Sequence, residues 1–243
     1  MKSLFIIPCA IMIGDDQNVH FERYFQLMHT VESISSRFID FEIKILELSG
    51  KPVYPSMIEI LQQRAIIISF EGDIDIIKIR EDAKTVDLPV SKSARPSYEL
   101  GYIKNATESK IIYRTLSQLS KNDYDRVYKI TGRYFFSDWF FKNNHIVKGK
   151  ITLKKRNKCA HGKKLTGTDY LRHCMYWSFC TSILDEVTQV FLDIHNYIVD
   201  MPNQRKIGTI ENGLDLFVRE NIINTVETTG VFGLLDSKYP HMD

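Results

Sequence analysis

No stretch of about 18 consecutive apolar residues occurs in this chain, so nothing in it reads as a bilayer-spanning helix. The apolar opening Met1 to Pro8 is likewise too short for a secretion signal. Cysteine is scarce: Cys9, Cys159, Cys174 and Cys180 are too few for a disulfide scaffold and read as free packing thiols in a reducing compartment. Cys159, His161, Cys174 and Cys180 do gather four soft ligands, but their C-x-H and C-x5-C spacings match no zinc pattern. Acidic residues are missing altogether between Asp138 and Asp169, and no Phe, Tyr or Trp stands between Phe141 and Tyr170. The first gap leaves segment 142–164 strongly basic, and the second removes the stacking platform that single-stranded nucleic acid prefers. No internal repeat is visible. The expected location is the cytoplasm, with a peripheral seat at the inner membrane face as a variant.

What remains is an ordinary globular composition: 243 residues, 44% hydrophobic and 26% charged, with a net charge of +2. That suits one domain with a sizeable core. The basic segment, with Lys142, Lys148, Lys150, Lys154, Lys155, Arg156, Lys158, Lys163 and Lys164, reads first as a solvated surface loop. Its functional readings are a phosphate-rich ligand, an anionic membrane face or nucleic acid.

Periodicity predicts an α/β chain. Ser3 to Ile13 is an apolar run with Pro8 inside it, read as a buried first strand with a break near its end; Phe21 to Arg37 repeats its apolar residues at helical spacing; Phe41 to Leu48 alternates as a second strand. Strand, helix, strand is the βαβ signature. A short helix over Pro55 to Gln63, a strand over Ala65 to Phe70 and a long helix over Ser97 to Leu119 follow. Arg126 to Ile130 is predicted as a central strand, Lys148 to Lys155 as another, Ile183 to Val199 and Ile210 to Val218 as helices, and the region around Val231 as a last strand.

The strand Arg126 to Ile130 runs into Thr131-Gly132-Arg133 and then a second apolar run. A strand end of this kind places backbone and one cation at a sheet edge, where ligands of open α/β sheets bind. Asp73-Ile74-Asp75, just after the strand Ala65 to Phe70, is an alternative metal-ligating pair, or simply a solvated turn. Tyr176, Trp177 and Phe179 are either a stacking platform for a sugar ring or core aromatics. His161, beside Gly162 in the basic loop, is a possible phosphate or acceptor contact.

Several blocks carry a resemblance: His20 to Ile34, Glu42 to Ser49, Lys92 to Leu100, Tyr124 to Ser137, Ile210-Glu211 and Thr229 to Gly233. Together they resemble small bacterial and giant-virus glycosyltransferases of GT-A-like fold, above all in the specific block Lys129-Ile130-Thr131-Gly132-Arg133-Tyr134. The resemblance implies a single GT-A-like, Rossmann-like α/β domain over 1–243, with a mixed, mostly parallel central sheet flanked by helices. It assigns a nucleotide-sugar-binding half to 1–123 and an acceptor-side half, carrying the basic loop, to 124–243. It implies transfer of a hexose from a nucleotide sugar, UDP-sugar favoured, to a saccharide or lipid-linked glycan of the lipopolysaccharide or capsule type. A second comparison is with metal-dependent β-1,3-galactosyltransferases, which resemble this strand end but hold a divalent cation on carboxylates there. Here Thr131, Gly132 and Arg133 stand in those positions. The implied chemistry is metal-independent, with Mg²⁺ or Mn²⁺ as the variant. Arg133, Lys129 and Lys92 or Arg95 would balance the departing diphosphate. Arg23 and Thr30 would reach the base, and Glu211 would be the acceptor's base, with Asp138 orienting the acceptor. The competing classes are a nucleic-acid binder that uses segment 142–164 and a catalytically inactive nucleotide-sugar binder.

Overall fold

The computed structural model describes residues 1–86, 93–160, 162–236 and 239–242. Along the chain these form β1 (Ser3–Cys9), α1 (Gln17–Ser35), β2 (Phe41–Glu47), α2 (Pro55–Gln62), β3 (Ile66–Ser69), α3 (Ile74–Thr85) and α4 (Arg95–Ser117). After them come β4 (Arg126–Ile130), β5 (Tyr134–Phe136), β6 (Ile151–Lys154), β7 (Asn157–Lys158), α5 (Gly162–Thr166), β8 (Tyr170–Leu171) and β9 (Tyr176–Cys180). The chain closes with α6 (Leu184–Asp200), α7 (Ile210–Phe217), β10 (Ile223–Val226), β11 (Val231–Asp236) and β12 (Tyr239–Met242).

Among the described residues the central sheet has seven strands in the order β10-β6-β9-β4-β1-β2-β3, and β9 alone runs against the others. Helices cover both faces, which is why β1 is a continuous apolar run rather than an alternating one: Leu4, Phe5, Ile6 and Ile7 are all fully buried. Strand parity sorts the side chains. Leu4, Ile6, Val127, Trp177 and Phe179 join Ile111, Ile112, Phe191 and Ile194 of α4 and α6 on one face. Phe5, Ile7, Tyr128 and Ile130 join Leu27 and Val31 of α1 on the other. Pro8, with no N–H to donate, lies beyond the last β1–β4 pair, Ile6 opposite Lys129. A small antiparallel sheet, β12-β11-β5, is built on the aromatic run after β4.

The structure sharpens the sequence reading in three places. The first strand stops at Cys9, just past Pro8, where the break near its end was expected, and Ile11 and Met12 remain buried as the chain turns over the sheet edge. The helix α3 was not anticipated; Asp73 caps it, its carboxylate accepting from the backbone N–H groups of Asp75 and Ile76. The basic segment holds the strand expected over Lys148 to Lys155, now β6, and beyond it contributes β7 and α5 rather than an open loop, with two of its cations paired among the described residues: Lys155 with Glu227, and Arg156 with Asp215 and Glu220.

Candidate functional site

The parallel strands β1, β2, β3, β4, β6 and β10 all end at one edge of the sheet, and β9 begins there. At that edge β4 passes into Thr131-Gly132-Arg133, and the turn is held on two sides. The Thr131 N–H donates to Met175 O at 2.9 Å, ahead of β9, and the Gly132 N–H to Pro8 O at 3.4 Å, in β1. The Tyr134 N–H then closes the turn on Thr131 O at 2.9 Å. Glycine is required at the middle position: a Cβ there would stand 2.9 Å from Cys9 Cβ and 3.2 Å from Leu27 Cδ1. Arg133 follows, half-buried, with no hydrogen bond or ion pair among the described residues.

Beneath the turn lies a charged network in the protein interior. Lys129 shares the strand face of Val127 and therefore points into the layer of α4 and α6. Its side chain is 0% exposed, and Nζ pairs with Glu108 Oε1 of α4 at 2.8 Å, Glu108 itself being 5% exposed. The same ammonium donates to Cys174 O and, at 3.1 Å, to Thr131 Oγ1. One lysine thus ties together the end of β4, the approach to β9 and α4. Burial alone would raise the Glu108 carboxyl; Lys129 foremost, then Lys104 and, more weakly, Arg133 overcome it and hold it below its usual value. Burial would lower the Lys129 ammonium, and Glu108 more than reverses that.

Glu211 completes the cluster from the first turn of α7, a helix capped by Thr209 and anchored to α4 through Ile210 N–H donating to Asn105 Oδ1 at 3.1 Å. The Cys174 thiol donates to Glu211 Oε1 at 2.8 Å, and burial, then Glu211, pushes that thiol up. Glu211 Oε2 has no partner among the described residues. Lys104, one turn before Glu108 on α4, is exposed and likewise makes no hydrogen bond or ion pair among the described residues. On the other side of β4, fully buried Glu47 at the end of β2 holds the chain leaving β1: it accepts from Ile11 N–H at 3.0 Å and from the Ser49 hydroxyl at 2.5 Å.

The expected site residues divide accordingly. Thr131, Gly132, Arg133, Lys129 and Glu211 are gathered at one place, although Lys129 is a buried brace rather than a surface cation. Arg23 is half-buried in the second turn of α1. Thr30 is buried, its hydroxyl donating to Gln26 O at 3.0 Å, so it faces no ligand. Arg95 lies elsewhere: its guanidinium donates to Val86 O at 2.7 Å and pins the end of α3 to the start of α4. Asp138 is 96% exposed and paired with Arg37 at 2.6 Å, away from the buried network. Trp177 is 0% exposed, packed on Phe191 and Phe179, and Tyr176 is buried with its hydroxyl against His145 Nδ1 at 3.1 Å, so these rings are core rather than a sugar platform. Asp73 and Asp75 are spent on the α3 cap and on Arg114 and Lys110, with Asp73 to Arg114 at 2.6 Å. Burial would raise the Asp73 carboxyl, but Arg114 and the cap hold it below its usual value. Lys92 and His161 lie outside the described residues. Among the described residues no three His, Cys, Asp or Glu are grouped to hold a metal. Glu108, Lys104 and Cys174 were missed; the signal for Glu108 was Lys129 in a strand fully buried on both faces, where an ammonium favours a buried anion beside it.

No protein-family model matches the chain, and no curated protein matches it in sequence. Solved structures do. Mouse xyloside xylosyltransferase 1 in its apo form aligns at a TM-score of 0.46 and 6% identity, over 93% of this chain and 84% of that one. The galactosyltransferase LgtC, in complex with donor and acceptor sugar analogues, aligns at a TM-score of 0.53 and 10% identity, over 93% of this chain and 73% of that one. The chain has the GT-A fold. At this identity the likeness is one of fold, and it agrees with the mixed, mostly parallel sheet described above. In this GT-A sheet the edge that carries Arg133 is the carboxyl edge, where open α/β sheets take their ligands.

Proposed function

We propose that the protein is a glycosyltransferase that moves a hexose from a nucleotide-sugar donor, UDP-sugar first, to a saccharide or lipid-linked glycan acceptor, with Arg133 as the counter-charge for the departing diphosphate. The observation that carries this reading is Arg133 itself, a guanidinium unpaired among the described residues, on a braced turn at the carboxyl edge of a GT-A sheet. When the bond from sugar C1 to the diphosphate oxygen breaks, negative charge grows on the phosphate, and a fixed cation stabilises that change more than it stabilises the ground state. A guanidinium does so through two parallel N–H bonds. Lys104 supplies a second charge, and Lys129 acts as a positioning residue by fixing Thr131.

The donor set at the turn is one hydroxyl, already bonded, and one cation. It does not suit a divalent metal, which takes oxygen ligands and carboxylates above all. Glu211 is the proposed base for the acceptor hydroxyl, since it belongs to the same cluster and its Oε2 is unpartnered among the described residues. Asp138, held by Arg37, is the second choice, in an orienting role. The exposed Lys158, Lys163 and Lys164, unpaired among the described residues, would lie against an anionic or lipid-linked acceptor at the membrane's inner face.

The test is a thermal-shift screen of UDP-, GDP- and CMP-sugars, each with Mn²⁺ and with EDTA, on the wild type and on Arg133→Ala, followed by turnover with the donor that binds. A ligand at 100 times its Kd stabilises by about 2.7 kcal/mol. The reading expects one donor to shift the melting temperature in EDTA and Arg133→Ala to abolish that shift at unchanged intrinsic stability. A silent panel, or a shift that survives Arg133→Ala and disappears in EDTA, overturns it.

A further inference from the structure

Arg126 opens β4 at the edge of the sheet opposite Arg133. It is 1% exposed, and among the described residues no carboxylate lies within ion-pair distance of it. Its Nε and Nη2 donate to Ser178 Oγ at 3.3 and 2.9 Å and Nη2 also to Thr152 Oγ1 at 3.1 Å, both neutral hydroxyls, while Nη1 makes no hydrogen bond among the described residues. A guanidinium taken out of water without an anion is strongly disfavoured. The phenols near it do not supply one, because burial pushes Tyr128 up to about 12 and Tyr176 higher still. His145, against Tyr176, is pushed down to about 4 by burial and by Arg126, and is neutral.

One nucleophile does face the guanidinium. Cys180 is the cross-strand partner of Arg126, directly opposite it on β9. The Ser182 hydroxyl donates to Cys180 Sγ at 3.3 Å, and the backbone N–H groups of Ser182 and Gly149 are turned toward the same sulfur and favour its anion. These donors and Arg126 outweigh burial and bring the thiol below its ordinary value. Arg126 and Cys180 both line an open cleft of about 730 Å³, with Lys121, Lys148, Asp125, Thr181 and Ser182 around them. Lys148 has no ion-pair partner among the described residues. Asp125 is occupied by the Lys2 N–H at 2.7 Å, and Lys121 by Asp185 at 2.5 Å.

We infer that Cys180, opposite Arg126 and open to the cleft, is a site of mixed-disulfide formation with low-molecular-weight disulfides bearing carboxylates, at the edge of the sheet away from the Arg133 turn. The thiolate attacks one sulfur of the small disulfide. The new Cys180 Sγ–S bond forms as the old S–S bond breaks, and the second half leaves as a thiolate that takes a proton from water. Cys180 is oxidised and the leaving thiol is reduced, so no other oxidant enters. Arg126 Nη1 and Lys148 favour a carboxylate-bearing reagent over a cationic one. Cys9 and Cys174 serve as internal controls, since burial, with Glu47 beside one and Glu211 beside the other, pushes their thiols up.

The experiment is to incubate the full native chain at pH 7 with oxidised glutathione and, in parallel, with the cationic disulfide cystamine, reading adducts by intact mass and peptide mapping. A single glutathione adduct at Cys180, formed faster than the cystamine adduct, is expected, and Cys180→Ser removes it. Ser182→Ala should slow the reaction about threefold and Arg126→Gln about tenfold, one pKa unit being a tenfold change in thiolate. If Arg126→Gln fails to fold, Ser182→Ala decides alone. No adduct, an adduct shared equally among the cysteines, or variants that react at the wild-type rate would each overturn the inference.

Discussion

Replacing Lys129 by Met tests the buried brace under the β4 turn. The ammonium lies 2.8 Å from Glu108 Oε1 in a site where neither side chain exceeds 5% exposure. At an effective dielectric of about 20 that contact corresponds to roughly 6 kcal/mol of attraction, most of it offset by the desolvation of both charges. Removing only the lysine leaves a buried carboxylate uncompensated, so Lys129→Met should destabilise the fold by about 3–5 kcal/mol, and Glu108→Leu should do the same. The double variant removes both charges. It should lose only the bonds to Cys174 O and Thr131 Oγ1, about 1 kcal/mol each. Urea unfolding of the four proteins therefore gives a coupling energy of roughly 4 kcal/mol or more. The pH dependence follows from the signs. Glu108 is lowered from its ordinary 4.5, so its contribution is present above that pH and is lost as pH falls through the folded value. Lys129 is raised from 10.5, so its contribution is present below that pH and is lost as pH rises through the folded value. A Lys129→Met variant that costs less than about 1 kcal/mol, or a double variant as unstable as the sum of the singles, refutes the brace.

Three further substitutions separate packing from chemistry. Gly132→Ala forces a Cβ to within 2.9 Å of Cys9 Cβ and should cost about 1–3 kcal/mol in denaturant melts, partly relieved when Leu27 is shortened to Val. Asp73→Ala removes a helix cap and the Arg114 pair, which should cost about 1 kcal/mol in thermal melts and leave the response to Mn²⁺ unchanged; a lost metal response would restore Asp73 as a ligand. Glu211→Gln keeps the Cys174 contact in shape, so turnover should fall by about 10²-fold or more with melting temperature held, and unchanged turnover removes Glu211 from the mechanism.

Local pattern carried the architecture well where both strand faces are covered. The bounds Arg126 to Ile130 were legible because a short run with Val127, Tyr128 and Ile130 between two turn signals has little freedom, and α1, α4, α6 and α7 fell within two residues of their expected ends, α1 excepted at its start. The helix α3 escaped because Asp73-Ile74-Asp75 reads locally as a solvated turn or a weak ligand pair, although Ile76, Ile79 and Ala83 carry a helical stripe. At the site, the Thr131-Gly132-Arg133 turn was visible in sequence, but Glu108 was not: its partner is 21 residues away and meets it only once α4 packs on β4. Tyr176 and Trp177 went to the core for the same reason that β4 did, because β9 is an inner strand with helices on one side and the aromatic cluster on the other.

The strand order also bears on how the chain is made. β1 sits between β2, which follows it closely, and β4, which begins 117 residues after β1 ends. Until β4 has left the ribosome, the emerging chain carries Leu4 to Ile7 on a strand with one bare edge, the kind of edge that pairs with other chains. Synthesis from the N-terminus at about 5–20 residues per second would leave that edge open for several seconds. A nascent chain halted near residue 123 is therefore expected to need a holding chaperone, and one extended past β9 to be released from it.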